Sequence, residues 1–329
     1  MGALADSAAT RMRRSIHTWS ELTKSRLVML VVVTAGVGYV LASGDAFSWS
    51  RLAWTALGTA LAAAGSMALN EWMEASRDAL MERTCRRPLP AGVVTQSAAA
   101  VAGVVLVVAG LVLLWAMTTP LTAALGLAVV LTYTLVYTPL KPRTSLCTLA
   151  GAVCGALPPM MGWAAAGNGL GFGAWLLGGV LFLWQIPHFL ALAWLYRDDY
   201  RRGGFRMLPV VEPDGRSTAR MVTIYSAALL VVAVSATPTG LAGPAYATGA
   251  ALLSAGLLAA GVHLGRTRSD ASARRLFLST LVYLPLLLGL LVADRRPADY
   301  PAVQTAWTSL TPSSAPLSLQ PTSGGIAHR

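Results

Sequence analysis

The chain has 329 residues, of which 55% are hydrophobic and 12% charged, with a formal net charge of +11. A soluble domain carries about 25% charged residues, so a soluble enzyme, a secreted disulfide scaffold and a disordered chain are all excluded. The apolar surplus comes in long blocks, and Ala98–Met117 runs 20 residues without a charge, about the length that crosses a bilayer.

Residues 1–26 form a basic leading segment that holds Arg11, Arg13, Arg14, Lys24 and Arg26. It is not a cleavable signal, because Glu21 and Lys24 precede the first apolar run and that run leads into further spans. Windows of about 20 residues then predict nine transmembrane helices. They lie near 27–43, 52–72, 98–117, 121–138, 146–166, 172–195, 221–238, 244–264 and 276–293. Residues 294–329, rich in Pro, Ser and Thr, read as a disordered tail. The expected fold class is an all-α polytopic membrane protein with one transmembrane domain over 27–293.

Lys and Arg are unevenly shared between the two sides. Of the 25, 21 fall in the leading segment and in the loops after the second, fourth, sixth and eighth spans. The positive-inside rule puts that side in the cytoplasm and the C-terminus outside, as in a multi-pass protein of the cell inner membrane. The basic charge is thereby accounted for without nucleic acid. Cys85, Cys147 and Cys154 have no CxxC spacing, so they form neither a zinc template nor a disulfide framework.

The 14 acids are concentrated, with eight in two segments, 70–88 and 196–220. In the first of these segments Asn70, Glu74 and Asp78 fall at i, i+4 and i+8, which stacks three oxygen ligands on one helix face. Such a row suits Mg²⁺, a hard cation shared with phosphates. Arg83, Arg86 and Arg87 follow and suit the oxygens of a diphosphate. A solvated helix end is the competing account. It fits poorly, because Glu74 with Asp78 and Asp78 with Glu82 are like-charged pairs.

The second segment holds Asp198 and Asp199 among Arg197, Arg201, Arg202 and Arg206. Adjacent residues point about 100° apart on a helix, so one of the two acids is expected to face the site. Lys141 and Arg143, after the fourth span, add basic groups on the same side, as site residues or as membrane anchors. His188 lies in the sixth span beside Pro187, which bends the helix and frees a carbonyl. Two acid clusters, several arginines and an apolar bundle together suggest that a prenyl diphosphate ionises at the cytoplasmic boundary. The metal would stabilise the leaving group.

These residues resemble the UbiA-type intramembrane prenyltransferases, and most closely the branch that farnesylates haem. The resemblance runs from about Leu22 to Asp294. It is carried by Leu22–Leu27, Asn70–Pro90, Tyr137–Lys141, Gly155–Pro159 and the stretch from Trp184 to Pro209. It implies a nine-helix fold, Mg²⁺ dependence, farnesyl diphosphate as donor and haem b (protohaem IX) as acceptor. A haem vinyl group would attack the farnesyl cation and water would quench the product cation, giving haem O and diphosphate.

The resemblance places Asn70, Glu74, Asp78, Asp198 and Asp199 at the metal-diphosphate centre. It gives Arg83, Arg87, Lys141 and Arg143 to the diphosphate, and His188 to the haem side as an axial ligand or a base. Haem A synthase or terminal-oxidase assembly proteins are the implied neighbours in the lipid bilayer. This chain departs from the usual pattern at Glu74, where Asp is common, and at Ser25, where Pro is usual. It departs again at Pro142, which interrupts the basic pair, and at Cys147, where Asn is expected. A quinone-ring or chlorophyll-precursor acceptor would use the same metal centre. A transporter is the alternative from another class, but it would set its charges near the midplane in related halves, and no internal repeat is evident.

Overall fold

The computed structural model describes Thr10, Arg13 and residues 15–296. The tail expected to be disordered, apart from its first residues, lies outside the described residues. Among those described, nine helices are long and apolar enough to cross a membrane. They are α1 (Ser25–Ser43), α2 (Trp49–Asp78), α3 (Gln96–Met117), α4 (Pro120–Leu140), α5 (Cys147–Ala165), α6 (Phe172–Leu195), α7 (Arg216–Val234), α8 (Pro244–Thr267) and α9 (Asp270–Ala293). The described residues form no strand, and their only bridge is an isolated one between Ala242 and Arg295. The expected all-α bundle is the fold observed.

Bilayer helices gain nothing from hiding apolar surface from lipid, so close backbone approach through small residues drives their packing. Glycines at seven-residue spacing supply it between α2 and α3. A methyl group added to Gly65 would lie 2.7 Å from the Val107 nitrogen, and one added to Gly110 would lie 2.7 Å from the Gly58 carbonyl oxygen. The opposite side of α3 exposes Val101, Val105, Val108, Val112 and Trp115, a stripe that faces lipid. The main core joins α6, α7, α8 and α9 through Leu177, Val180, Leu181, Trp184, Leu229, Leu257, Leu284 and Leu287.

Three helices differ from the lengths expected. The hydropathy pattern ends the second span near residue 72, but α2 continues to Asp78, because its last acids are paired with cations from other elements. The same pattern starts the last span at 276, but α9 starts at Asp270. There Ser269 caps it, and Trp194 Nε1 donates a 2.9 Å hydrogen bond to Asp270. The seventh span sits about five residues earlier than expected. In α4 the residues Thr132–Tyr137 form a π-helical turn just before Pro139. Pro139 has no N–H to continue the ladder, and such turns recur at functional sites.

Candidate active site

One cavity of about 350 Å³ opens among α1, α2, α4, α5 and α6. Its polar end gathers residues remote in sequence. The 15–22 helix turns into α1 at Lys24, which takes a left-handed backbone (φ 50°, ψ 52°). From there Lys24 Nζ donates a 2.7 Å hydrogen bond to Asn70 Oδ1. Asn70 Nδ2 in turn donates to Thr138 Oγ1 at 3.0 Å, which fixes the amide.

One turn on, Lys141 Nζ sits 2.9 Å from each oxygen of Glu74. Its hydrogen bond goes to Oε2, so buried Glu74 Oε1 has no hydrogen bond of its own. One further turn on, Arg87 Nη1 donates to Asp78 Oδ2 at 2.7 Å. The three stacked ligands read from the sequence therefore lie on one buried face, each against a cation.

Four cations (Lys24, Arg83, Arg87 and Lys141) line this cavity, with Glu74 and Asp78 as its acids. The excess of positive charge suits a polyanion. Glu71 stands just behind, buried, with its Oε1 3.9 Å from Lys24 Nζ and 3.6 Å from Arg87 Nε. Burial, reinforced by the Arg87 charge and opposed by Glu71, pulls the Lys24 ammonium down to about 8. Burial would also lower Lys141, but the Glu74 carboxylate outweighs it and holds Lys141 above its ordinary value. Lys141 also lies over the Tyr137 ring, 4.6 Å from its centroid, and Arg83 lies 4.9 Å from that of Tyr196.

Away from the charges the lining turns apolar and aromatic: Leu27, Val31, Met67, Val130, Tyr133, Trp184 and Phe189. The π-helical turn contributes Tyr133 and Tyr137. His188 and Gln185 are the polar groups of α6 in this part of the lining. Gln185 fills a slot cleared by Gly155, where an added methyl group would collide with its amide. His188 Nδ1 is 2.8 Å from Thr280 Oγ1, and its ring stacks on Trp184 and Phe277 with centroids 5.1 and 5.0 Å away.

Of the residues singled out in the sequence, Asn70, Glu74, Asp78, Arg83, Arg87, Lys141 and His188 line this one cavity. Arg143 and Asp198 are exposed outside it. Asp199 is buried but also outside the lining. It accepts from the Glu82 N–H at 3.0 Å and from Arg202 Nη2 at 2.6 Å. Burial pushes its carboxyl up, but the Arg202 and Glu82 donors outweigh this and hold it below the usual carboxylate range. Trp184 is buried in the cavity wall.

Sequence reasoning misses Lys24, which it counts only as positive-inside charge, and Gln185. A lone amide within an apolar span is costly, and that signal marks Gln185.

No group of three or more His, Cys, Asp or Glu among the described residues is drawn together as a metal cage. The donor set still fits a hard cation. Asn70, Glu74 and Asp78 present oxygen ligands, and Glu74 Oε1 is a buried acceptor with no hydrogen bond. Magnesium takes one or two carboxylates and keeps waters and phosphate oxygens for the rest, so a complete protein cage is not required.

The model of the UbiA prenyltransferase family matches residues 31–299. A protoheme IX farnesyltransferase from Solibacter usitatus is 42% identical over 289 residues, covering 85% of this chain and 99% of the relative. Among solved structures, a digeranylgeranylglyceryl phosphate synthase has a TM-score of 0.73 at 14% identity, covering 85% of this chain and 98% of its own. A UbiA homologue from Archaeoglobus fulgidus bound to GPP and Mg²⁺ has a TM-score of 0.60 at 13% identity, covering 83% and 99%. At these identities the two structures establish the fold.

Proposed function

The chain belongs to the UbiA prenyltransferase family, and from that premise we propose that it transfers a farnesyl group from farnesyl diphosphate to a vinyl group of protohaem IX. The products are haem O and diphosphate. The observation that carries this reading is the single cavity that runs from four cations to His188 through an aromatic and aliphatic wall. Its charged end suits a diphosphate, and its apolar part suits a prenyl chain and a porphyrin. The naming of the relative at 42% identity supports the same reaction.

Lys24, Arg83, Arg87 and Lys141 hold the diphosphate and offset the charge that grows on it as the allylic C–O bond breaks. Asn70, Glu74 and Asp78 would hold Mg²⁺, with Asp199 supporting the arginine-bearing turn from outside the cavity. When bound, the ion supplies Lewis-acid stabilisation of the leaving group.

The leaving diphosphate takes the bonding electrons. The apolar walls exclude water from the farnesyl cation, and the faces of Tyr133, Tyr137 and Trp184 favour it electrostatically. The vinyl π pair forms the new C–C bond, and the cation left beside the porphyrin takes up water and releases a proton. His188 belongs to the haem side. The basic end of the cavity faces the cytoplasm in the cell inner membrane, following the Lys/Arg distribution. The chain's product would be handed on to haem A synthase or to terminal-oxidase assembly proteins.

The test is mass spectrometry of haems after the purified protein is incubated with farnesyl diphosphate, Mg²⁺ and haem b. A farnesylated, hydrated haem is expected. Diphosphate release with no modified haem, but with a prenylated aromatic acid when one is supplied, would overturn the acceptor assignment.

A further inference from the structure

The packing of α6 against α9 determines more about His188 than its position. Thr280, on α9, is fully buried. Its hydroxyl lies 2.5 Å from the Phe277 carbonyl oxygen and 2.8 Å from His188 Nδ1. A carbonyl only accepts, so the single hydroxyl proton of Thr280 is committed to Phe277. The same oxygen then offers His188 only a lone pair. The proton of the His188–Thr280 bond must therefore sit on Nδ1.

A neutral imidazole protonated at Nδ1 carries a bare lone pair on Nε2. Nε2 takes no hydrogen bond from the described residues, and the ring lines the cavity. Rotation is blocked as well. Trp184 and Phe277 stack on the ring at interplanar angles of 19° and 26°. Trp184 is itself anchored by a 2.9 Å hydrogen bond from Nε1 to the Thr280 carbonyl oxygen. A neutral, oriented imidazole with a free Nε2 and its other N–H held by an acceptor is the arrangement of a metal-ligating histidine. It is a poor arrangement for a proton donor.

We propose that Thr280 is a positioning residue that holds His188 in the tautomer protonated at Nδ1, so that Nε2 binds the iron of the haem acceptor. This rests on the reading of the acceptor as a haem. The lone pair of Nε2 would bind the iron and hold the porphyrin at the α6 wall of the cavity.

The test titrates haem b into the detergent-solubilised full-length protein, with affinity and the iron–histidine stretch of the ferrous form as readouts. Losing the partner of a ligating histidine costs 10–100-fold in metal affinity. Thr280→Val is therefore expected to weaken haem binding at least about tenfold and shift the stretch. Thr280→Ser, which keeps the hydroxyl, is expected to stay within about threefold of wild type. Affinity for a non-hydrolysable farnesyl diphosphate analogue should be the same in all.

Wild-type haem affinity and stretch in Thr280→Val would overturn the proposal, as would equal losses in the Val and Ser variants. His188→Ala that binds haem like wild type would instead remove the haem-side reading on which the proposal rests. If Thr280→Val does not fold, nitrogen-15 spectra of histidine-labelled wild-type protein decide, with the His188 signals assigned by their loss in His188→Ala. A bare Nε2 is expected, and a protonated Nε2 would overturn the assignment.

Discussion

The end of α2 and the short helix Arg197–Arg202 both carry paired acids beside arginines, and the sequence presents them as two halves of one centre. Their environments differ. Asn70, Glu74 and Asp78 are 1, 5 and 2% exposed, and each faces the cavity against a cation. Asp199 is turned toward the backbone of the 79–87 turn, and the Asp198 side chain is 69% exposed and paired with Arg201. One acid row is the wall of the site; the other braces the turn that brings Arg83 and Arg87 to it. Residue type and spacing identify both, whereas the direction each side chain takes depends on the helix that carries it. A 30-residue helix fixes the facing of its last three turns, and a six-residue helix is oriented by whatever packs on it.

The largest effect should come from Asp78→Ala. The variant loses a proposed metal ligand of the leaving-group end and also leaves Arg87 with a weaker hold in the cavity. A fall in kcat/KM of at least about 100-fold is expected, read as diphosphate release from farnesyl diphosphate in the presence of haem b and Mg²⁺. Wild-type-like turnover at saturating Mg²⁺ would show that the buried row does not carry the chemistry.

Asp199→Ala should cost less, about tenfold, because it acts through the turn and not on the substrate. The loss should appear mainly in the KM for farnesyl diphosphate. Asp199→Asn, which can still accept from the Glu82 N–H, should recover most of it. If instead Asp199→Asn falls as far as Asp78→Ala, the two segments are equal after all and Asp199 reaches the metal when substrate binds.

The fold is legible in the sequence to a degree the site is not. Nine apolar windows give nine helices of membrane-crossing length among the described residues because bilayer thickness imposes that length. The i, i+4, i+8 row at Asn70, Glu74 and Asp78 keeps its shared face in the structure because helical periodicity sets which side chains lie together. Lys24 is not legible as a site residue. Its charge counts equally well toward membrane orientation, and only the left-handed turn before α1 carries it to Asn70. Thr280 is another case. A threonine in an apolar span looks like any hydroxyl bonded back to its own helix, until α6 brings His188 against it. Both depend on hydrogen bonds across 46 and 92 positions of the chain, which no local pattern encodes.

The third expectation concerns pH and belongs to the α2 region alone. Lys24 is held down to about 8, so in the free protein it is charged below that pH and becomes neutral above it. A bound diphosphate favours the charged form, so affinity for the donor should fall as pH rises through 8. Weakening one charge-assisted hydrogen bond among several costs about 1 kcal/mol, or roughly fivefold in KM. Lys24→Arg keeps its charge throughout and should flatten that limb. An unchanged limb in the arginine variant would assign the titration to another group.

The smallest effect should be that of Asp198→Ala. The side chain is mostly in solvent, its only ion pair among the described residues is with Arg201 three residues on, and it lies outside the cavity lining. Exposed pairs of this kind contribute about 0–1 kcal/mol, so stability should change by less than ~1 kcal/mol and turnover by less than about twofold. The variant is the sharpest probe of the contrast between the two regions because Asp198 and Asp199 are neighbours in sequence and of the same chemistry. A loss comparable to that of Asp78→Ala could not arise from the geometry of the Arg197–Arg202 helix as it stands. Adjacent residues diverge by about 100°, so bringing Asp198 to the cavity would turn Asp199 away from the Glu82 N–H and release the turn it braces. Such a result would mean that the short helix rotates when farnesyl diphosphate binds, exchanging one acid for the other. The same experiment on Asp199→Asn would then show no loss at all.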